Sequence, residues 1–193
     1  MAGKQMKPSF PHPAMPGPLF AAALLMLALL CLCPGCERKQ PVAIGDTPPE
    51  IAGTGLHGES VGLDRFRGRV VVLYFWADSC CRDRLKLLEP FYRKNRDRGL
   101  VLLAVNEGSP ATQVESFAKS NGLTFTLLAD EHATTMERYG VFGFPTVFII
   151  DGTGIVRQKV LGEIAVEQLQ KLVERQFAIQ REAQAQFEKS RPR

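Results

Sequence analysis

Residues 69–76 read Arg-Val-Val-Val-Leu-Tyr-Phe-Trp, and this run constrains the fold more than any other stretch of the chain. Seven consecutive apolar residues, all but one β-branched or aromatic, leave no polar face to turn toward water. Such a run is a strand covered on both faces, as central parallel strands are. Residues 100–105 (Leu-Val-Leu-Leu-Ala-Val) repeat the pattern, and Phe125 to Leu128 and Thr146 to Ile150 supply two further short strands. Another short strand is expected at Glu59 to Leu63, after the turn residues Gly55 and Gly58.

Helical patterns fill the intervals. From Cys81 to Arg98, Leu85, Leu88, Phe91 and Tyr92 fall on one face, and Pro90 predicts a kink or break. Pro110 to Ser120 fits a helix with Ser109 as N-cap and Pro110 in the first turn. His132 to Tyr139 is a short helix closed by Gly140. Asp151-Gly-Thr-Gly154 is a hairpin turn leading into a returning strand, Ile155 to Val160. Glu163 to Phe177 is an amphipathic helix, and residues 179–193 continue it as a polar helix or tail. Strand–helix alternation calls for parallel pairs with right-handed crossovers, and the hairpin adds an antiparallel edge. The expected fold is α/β, a three-layer α/β/α sandwich around a mixed central sheet.

The first forty residues have a different character. Residues 1–18 carry two lysines, no acid and five prolines, and Leu19 to Cys33 is an uncharged apolar run of fifteen. That length suits the core of an export signal and falls short of the roughly 20 residues that span a bilayer as a helix. Gly35-Cys36, followed by Glu37-Arg38-Lys39, resembles a bacterial lipoprotein cleavage site, although Cys33 replaces the usual aliphatic residue. Lipidation at Cys36 would tether the protein without a permanent span. A plainly cleaved leader or an uncleaved anchor are the alternatives. The organisation is therefore a leader (1–36), a polar, proline-rich tether (37–50), one domain (42–178) and a C-terminal helix or tail (179–193). The net charge of +4, with no basic stripe, excludes nucleic acid as a partner.

The chemistry should lie at Phe75-Trp-Ala-Asp-Ser-Cys80-Cys81-Arg82, where the most buried strand meets a helix. A thiol there faces the positive end of the helix dipole and free backbone N–H groups, which favour the thiolate, and Arg82 and Arg84 add positive charge. The alternative is a pair of inert buried cysteines. A second feature is Gly143-Phe144-Pro145-Thr146, a proline just ahead of a strand, for which a plain trans turn is the alternative. His12, His57 and His132 are scattered and make no zinc spacing with the cysteines, so neither metal nor cofactor is expected.

From residue 42 to 175 the chain resembles the TlpA/ResA-like thiol-disulfide oxidoreductases, exported and AhpC/TSA-redoxin-like members of the thioredoxin superfamily. The resemblance rests on Gly45-Asp-Thr-Pro-Pro-Glu-Ile51, on Gly68-Arg69 with the strand that follows, and on Tyr139-Gly-Val-Phe-Gly-Phe-Pro-Thr-Val-Phe-Ile-Ile-Asp-Gly-Thr-Gly154. It implies a thioredoxin-like three-layer sandwich, a cis Phe144–Pro145 bond facing the thiol, and substrate contacts from Trp76, Phe144 and Pro145. It also implies protein substrates of the cell envelope, apocytochrome c among them, a membrane thiol reductant, and residence on the periplasmic side, held by the lipid anchor. The match to peroxiredoxins is weaker, because no Pro-x-x-x-Thr-x-x-Cys precedes Cys80.

The family pattern of Trp-Cys-x-x-Cys is altered here. Ser79 stands where the tryptophan is expected, and the cysteines are adjacent. Counted forward from Trp76, Cys80 is the attacking cysteine and Asp83 occupies the resolving position. Counted back from Leu87-Leu-Glu-Pro90, Cys81 is the resolving cysteine. Neighbouring Cα atoms are about 3.8 Å apart, shorter than the usual disulfide range of roughly 4.4–6.8 Å, so an efficient dithiol cycle is in doubt. Glu107 could be an acid near the site or a solvated loop residue, and Asp78 could accept a proton or cap the helix. Two other functions compete with catalysis through Cys80 and Cys81. One is a redox-inactive peptide-binding module working by strand addition. The other is a Cu(I) carrier using Cys80, Cys81 and His132.

Overall fold

The computed structural model describes residues 40–51, 55 and 61–191, all within one compact unit. The expected leader with Cys36, the start of the tether, and Glu59 and Ser60 of the expected first strand lie outside these residues. Leu63, placed in that strand from sequence, instead opens a 3₁₀ turn, Leu63–Phe66.

Five strands form the sheet: β1 (Val70–Trp76), β2 (Leu100–Glu107), β3 (Thr126–Asp130), β4 (Thr146–Ile150) and β5 (Val156–Leu161). Their order across the sheet is β3-β2-β1-β4-β5. Every residue of β1 is buried, as its continuous apolar run requires of a central strand. β1 pairs in parallel with β2, and β2 with β3, while β4 runs antiparallel to both β1 and β5. The antiparallel β1–β4 pair corrects the expectation that only the hairpin edge is antiparallel.

Four helices cover the sheet: α1 (Leu85–Asn95), α2 (Ala111–Ser120), α3 (Thr134–Tyr139) and α4 (Val166–Ser190). Alternate β1 residues serve opposite cores. Val70, Val72, Tyr74 and Trp76 pack with Leu85, Leu88 and Phe91 of α1, Val114 and Phe117 of α2, and Leu169, Val173 and Phe177 of α4. Val71, Leu73 and Phe75 face Tyr139 of α3 together with Val42, Ile51 and Val61. There Phe75, Tyr139 and Phe148 stack mutually, with ring centroids 5.2, 5.9 and 5.4 Å apart. Each such contact is worth about 0.5–1.5 kcal/mol beyond its buried area.

Several boundaries differ from the sequence expectation. The helix expected from Cys81 to Arg98 is a 3₁₀ turn (Arg82–Arg84), then α1, then a second 3₁₀ turn (Arg96–Arg98). α1 passes through Pro90 without a break. Pro90 and Lys86, whose carbonyl the proline leaves without its helical donor, are both exposed, so water can serve that carbonyl. Pro110, not Ser109, occupies the cap position of α2, and the Ser109 N–H donates to Asn106 Oδ1 at 3.1 Å. From residue 42 onward the expected tether is fastened to the domain. Val42 is buried, its N–H donates to the Tyr139 carbonyl at 3.1 Å, and Gly45 and Asp46 exchange backbone hydrogen bonds with Val156.

Candidate active site

The register of the sheet brings the two sequence features together. Phe75 pairs with Thr146 in the antiparallel β1–β4 ladder, so Pro145 lies level with Trp76 at the end of β1. Residues 77–81 leave the sheet at that same end. The chain turns at once there, with the N–H groups of Cys80 and Cys81 both donating to the Ala77 carbonyl, at 3.3 and 3.2 Å. The Phe144–Pro145 bond is cis, and the Pro145 carbonyl accepts the Gly162 N–H at 2.8 Å.

The Cys80 and Cys81 sulfurs are bonded to each other, with Cα atoms 3.8 Å apart. The two cysteines are unequally placed. Cys80 is exposed, and its Sγ lies 3.7 Å from the Ala77 carbonyl oxygen. Cys81 is only 2% exposed and belongs to the core beneath α1, with Trp76 and Leu85. One sulfur is therefore open to a macromolecule and its partner is walled behind it. Asp83 is exposed and paired with Lys86 at 2.9 Å. That hydrogen bond and charge hold the Asp83 carboxyl below the usual range.

The surrounding charges are partnered. Arg84 pairs with Glu163 beyond β5. Asp78 does not cap a helix. Its Oδ2 accepts a hydrogen bond from Gln113 Nε2 of α2 at 2.5 Å and lies 3.9 Å from an Arg82 nitrogen. The Arg82 guanidinium rests over the Phe117 ring of α2, 4.6 Å from its centroid, and Phe117 in turn packs on Trp76 at 5.6 Å. Burial pushes the Tyr74 phenol up to about 12, with nearby Arg84 pulling it back slightly, so the hydroxyl stays protonated through the physiological range.

Trp76, expected to touch substrate, is fully buried. It is the floor of the site rather than its surface, because the even-numbered side chains of β1 point under α1 and α2. Its register neighbour across the β1–β2 ladder is Asn106, likewise fully buried. Among the described residues, Trp76 Nε1 and Asn106 Nδ2 are the buried side-chain atoms without a hydrogen-bond partner. Glu107 follows Asn106, half-buried at the same end of the sheet. Phe144 is half-buried beside Pro145, while Phe142 is 88% and Leu161 72% exposed. Phe142, Phe144 and Leu161, together with Thr146, Lys159 and Gly162, line a groove of about 450 Å³, and Pro145 itself is buried.

His132 is exposed after β3, and β2 lies between β3 and β1, so it is two strands away from the cysteines. Among the described residues, no three His, Cys, Asp or Glu side chains gather as a metal site. Sequence reasoning missed Gln113 and Phe117. Their one signal was a spacing of four on α2, which puts them on one helix face.

The geometry has close relatives. Residues 44–159 match the model of the AhpC/TSA family. The thiol-disulfide oxidoreductase ResA of Geobacillus kaustophilus is 35% identical over 139 residues, 71% of this chain and 80% of that protein. The solution structure of a thiol:disulfide interchange protein from a Bacteroides species is 26% identical, with a TM-score of 0.60 over 69% of this chain and 90% of that one. A thioredoxin family protein of Chlorobium tepidum shares the fold at 17% identity, with a TM-score of 0.63 over 70% and 99%. A thioredoxin fold carrying a cysteine pair where its first central strand ends, in a sequence this close to ResA, belongs to the AhpC/TSA family and groups with its thiol-disulfide oxidoreductases.

Proposed function

We propose that the chain is an exported, membrane-tethered oxidoreductase that reduces protein disulfides of the cell envelope through Cys80. One observation carries the reading: an exposed cysteine joined to a buried one in the loop that leaves β1 at the sheet end where Pro145 stands opposite Trp76. In the reduced chain the Cys80 thiolate attacks a substrate disulfide. A mixed disulfide forms, and one substrate sulfur leaves as a thiolate. The Cys81 thiolate then attacks the Cys80 sulfur, restoring the Cys80–Cys81 bond and releasing the second substrate thiol. The substrate gains two electrons and, with solvent protons, two thiols. A membrane dithiol reductant returns the chain to its starting state by the reverse exchange.

Phe144 and the backbone leading into the buried Pro145 contact the substrate segment, and the exposed Phe142 and Leu161 suit an extended, apolar stretch such as an unfolded apoprotein presents. Apocytochrome c is one such substrate. The leader, with lipidation at Cys36, supports residence on the periplasmic side. Among the described residues no helix is long and apolar enough to cross a membrane.

The test is reduction of insulin disulfides with dithiothreitol as electron source. Wild type should accelerate precipitation of the B chain, Cys80→Ser should abolish the acceleration, and Cys81→Ser should accumulate a stable mixed disulfide. An inert wild-type protein would sink the reading.

A further inference from the structure

Helix α2 reaches across to the cysteine loop through two side chains four residues apart. Gln113 donates to the Asp78 carboxylate at 2.5 Å, and the Phe117 ring carries the Arg82 guanidinium at 4.6 Å. Asp78 and Arg82 are themselves 3.9 Å apart and bracket Cys80 and Cys81 in sequence. Gln113 is exposed and contributes nothing to the core, so its contact with Asp78 has no packing role.

Asp78 sits inside the turn whose fourth residue is Cys80, and a carboxylate so placed opposes ionisation of the thiol. How strongly it does so depends on where the carboxylate is held and on what offsets its charge. The hydrogen bond from Gln113 draws it toward α2, where Arg82 can answer it. The other charges near the pair are already engaged: Asp83 with Lys86 and Arg84 with Glu163. β2 presents Glu107 at the same sheet end, α2 presents the neutral Gln113, and residues 141–146 carry no charge.

We propose that Gln113 is a positioning residue for the redox reaction: by latching Asp78 to α2 it sets the reactivity of the Cys80 thiol. The proposal rests on Cys80 being the attacking sulfur. Loss of the latch returns the carboxylate to the turn, so the thiolate becomes harder to form and slower to appear.

The experiment measures iodoacetamide alkylation of Cys80 against pH in the full-length chain. A Cys81→Ser background makes Cys80 the one thiol of the tryptic peptide 70–82, whose mass reports the reaction. Gln113→Leu should slow alkylation at pH 7 by roughly fivefold and move the pH profile upward. Asp78→Asn should speed it, and in the Asp78→Asn background Gln113→Leu should have no effect. Leucine is a good helix former, so α2 persists. A Gln113→Leu profile equal to the parent, or the same slowing in both backgrounds, overturns the latch. Insulin reduction is scored separately, so an inert wild type ends the functional reading while the alkylation cycle still decides the role of Gln113.

Discussion

At the scale of single residues, Gly140 shows how a small side chain holds the domain's opening segment in place. Its φ is +60°, and a Cβ added there would lie 2.6 Å from the Pro41 Cα. Left-handed backbone costs an L-residue about 1–2 kcal/mol, and the clash is with main chain that no rotamer change can relieve. Gly140→Ala should therefore lower stability in urea by at least that amount. It should also lift the segment around Val42 off Tyr139 and Lys159, seen as faster proteolysis within residues 40–51. Unchanged cleavage would show that the segment is not seated by this contact. Gly140 was legible in the sequence, because a glycine closing a helix before a strand signals a left-handed cap. The burial of Trp76 was legible too, in the unbroken apolar run that ends on it, and it conflicts with the substrate contact the resemblance implied, since a resemblance says which residue stands near a site without saying which way it points. The Asp78–Gln113 contact joins residues 35 apart in sequence, and no local pattern encodes such a pairing.

Between elements, α1 is tied to the loop ahead of β3 by one carboxylate. Glu89 is buried on α1 and accepts hydrogen bonds from the Thr124 N–H at 2.8 Å, the Thr124 hydroxyl at 2.6 Å and Arg93 Nε at 2.5 Å. Burial alone would raise its pKa, but the bonds from Thr124 and Arg93 outweigh it and hold the group below the usual carboxylate range. A depressed folded-state pKa gives stability that is full above the unfolded value, about 4.3, and is lost as pH falls through the folded one. Glu89→Gln should cost about 1–3 kcal/mol at pH 7. Its urea midpoint should converge with wild type in acid, and a gap of constant size down to pH 2 would contradict this. The apolar strands were plain from composition, whereas the direction of β4 was not. α3 has six residues and so spans about 9 Å, while a five-residue strand such as β3 spans roughly 16 Å. The helix is too short to carry the chain back along the sheet, so β4 starts at the end where β3 stopped and runs antiparallel to β1.

Across the whole molecule, α4 serves two different purposes along its 25 residues. Leu169, Val173, Gln176 and Phe177 are buried, and Arg98 clasps this half by pairing with Glu174 at 2.7 Å and resting over the Phe177 ring. Residues 181–190 are exposed throughout. A chain ended after Arg181 should melt within about 3 °C of wild type, because it loses no core contact. One ended after Leu172 forfeits Val173 and Phe177, each worth roughly 2–5 kcal/mol, and should not hold a folded state at 37 °C. Equal melting of the two would mean that the buried half of α4 is dispensable. The polar second half was readable as polar, though its persistence as helix was left open, since propensity alone does not decide where an unsupported helix frays. The floor of the site has a practical corollary. The chain contains a single tryptophan, and its indole belongs to the same packed cluster as the Cys81 sulfur. Indole fluorescence from this protein, excited where tyrosine scarcely absorbs, therefore originates at one address, so a shift in its colour or lifetime speaks for the sulfurs' surroundings without any attached dye.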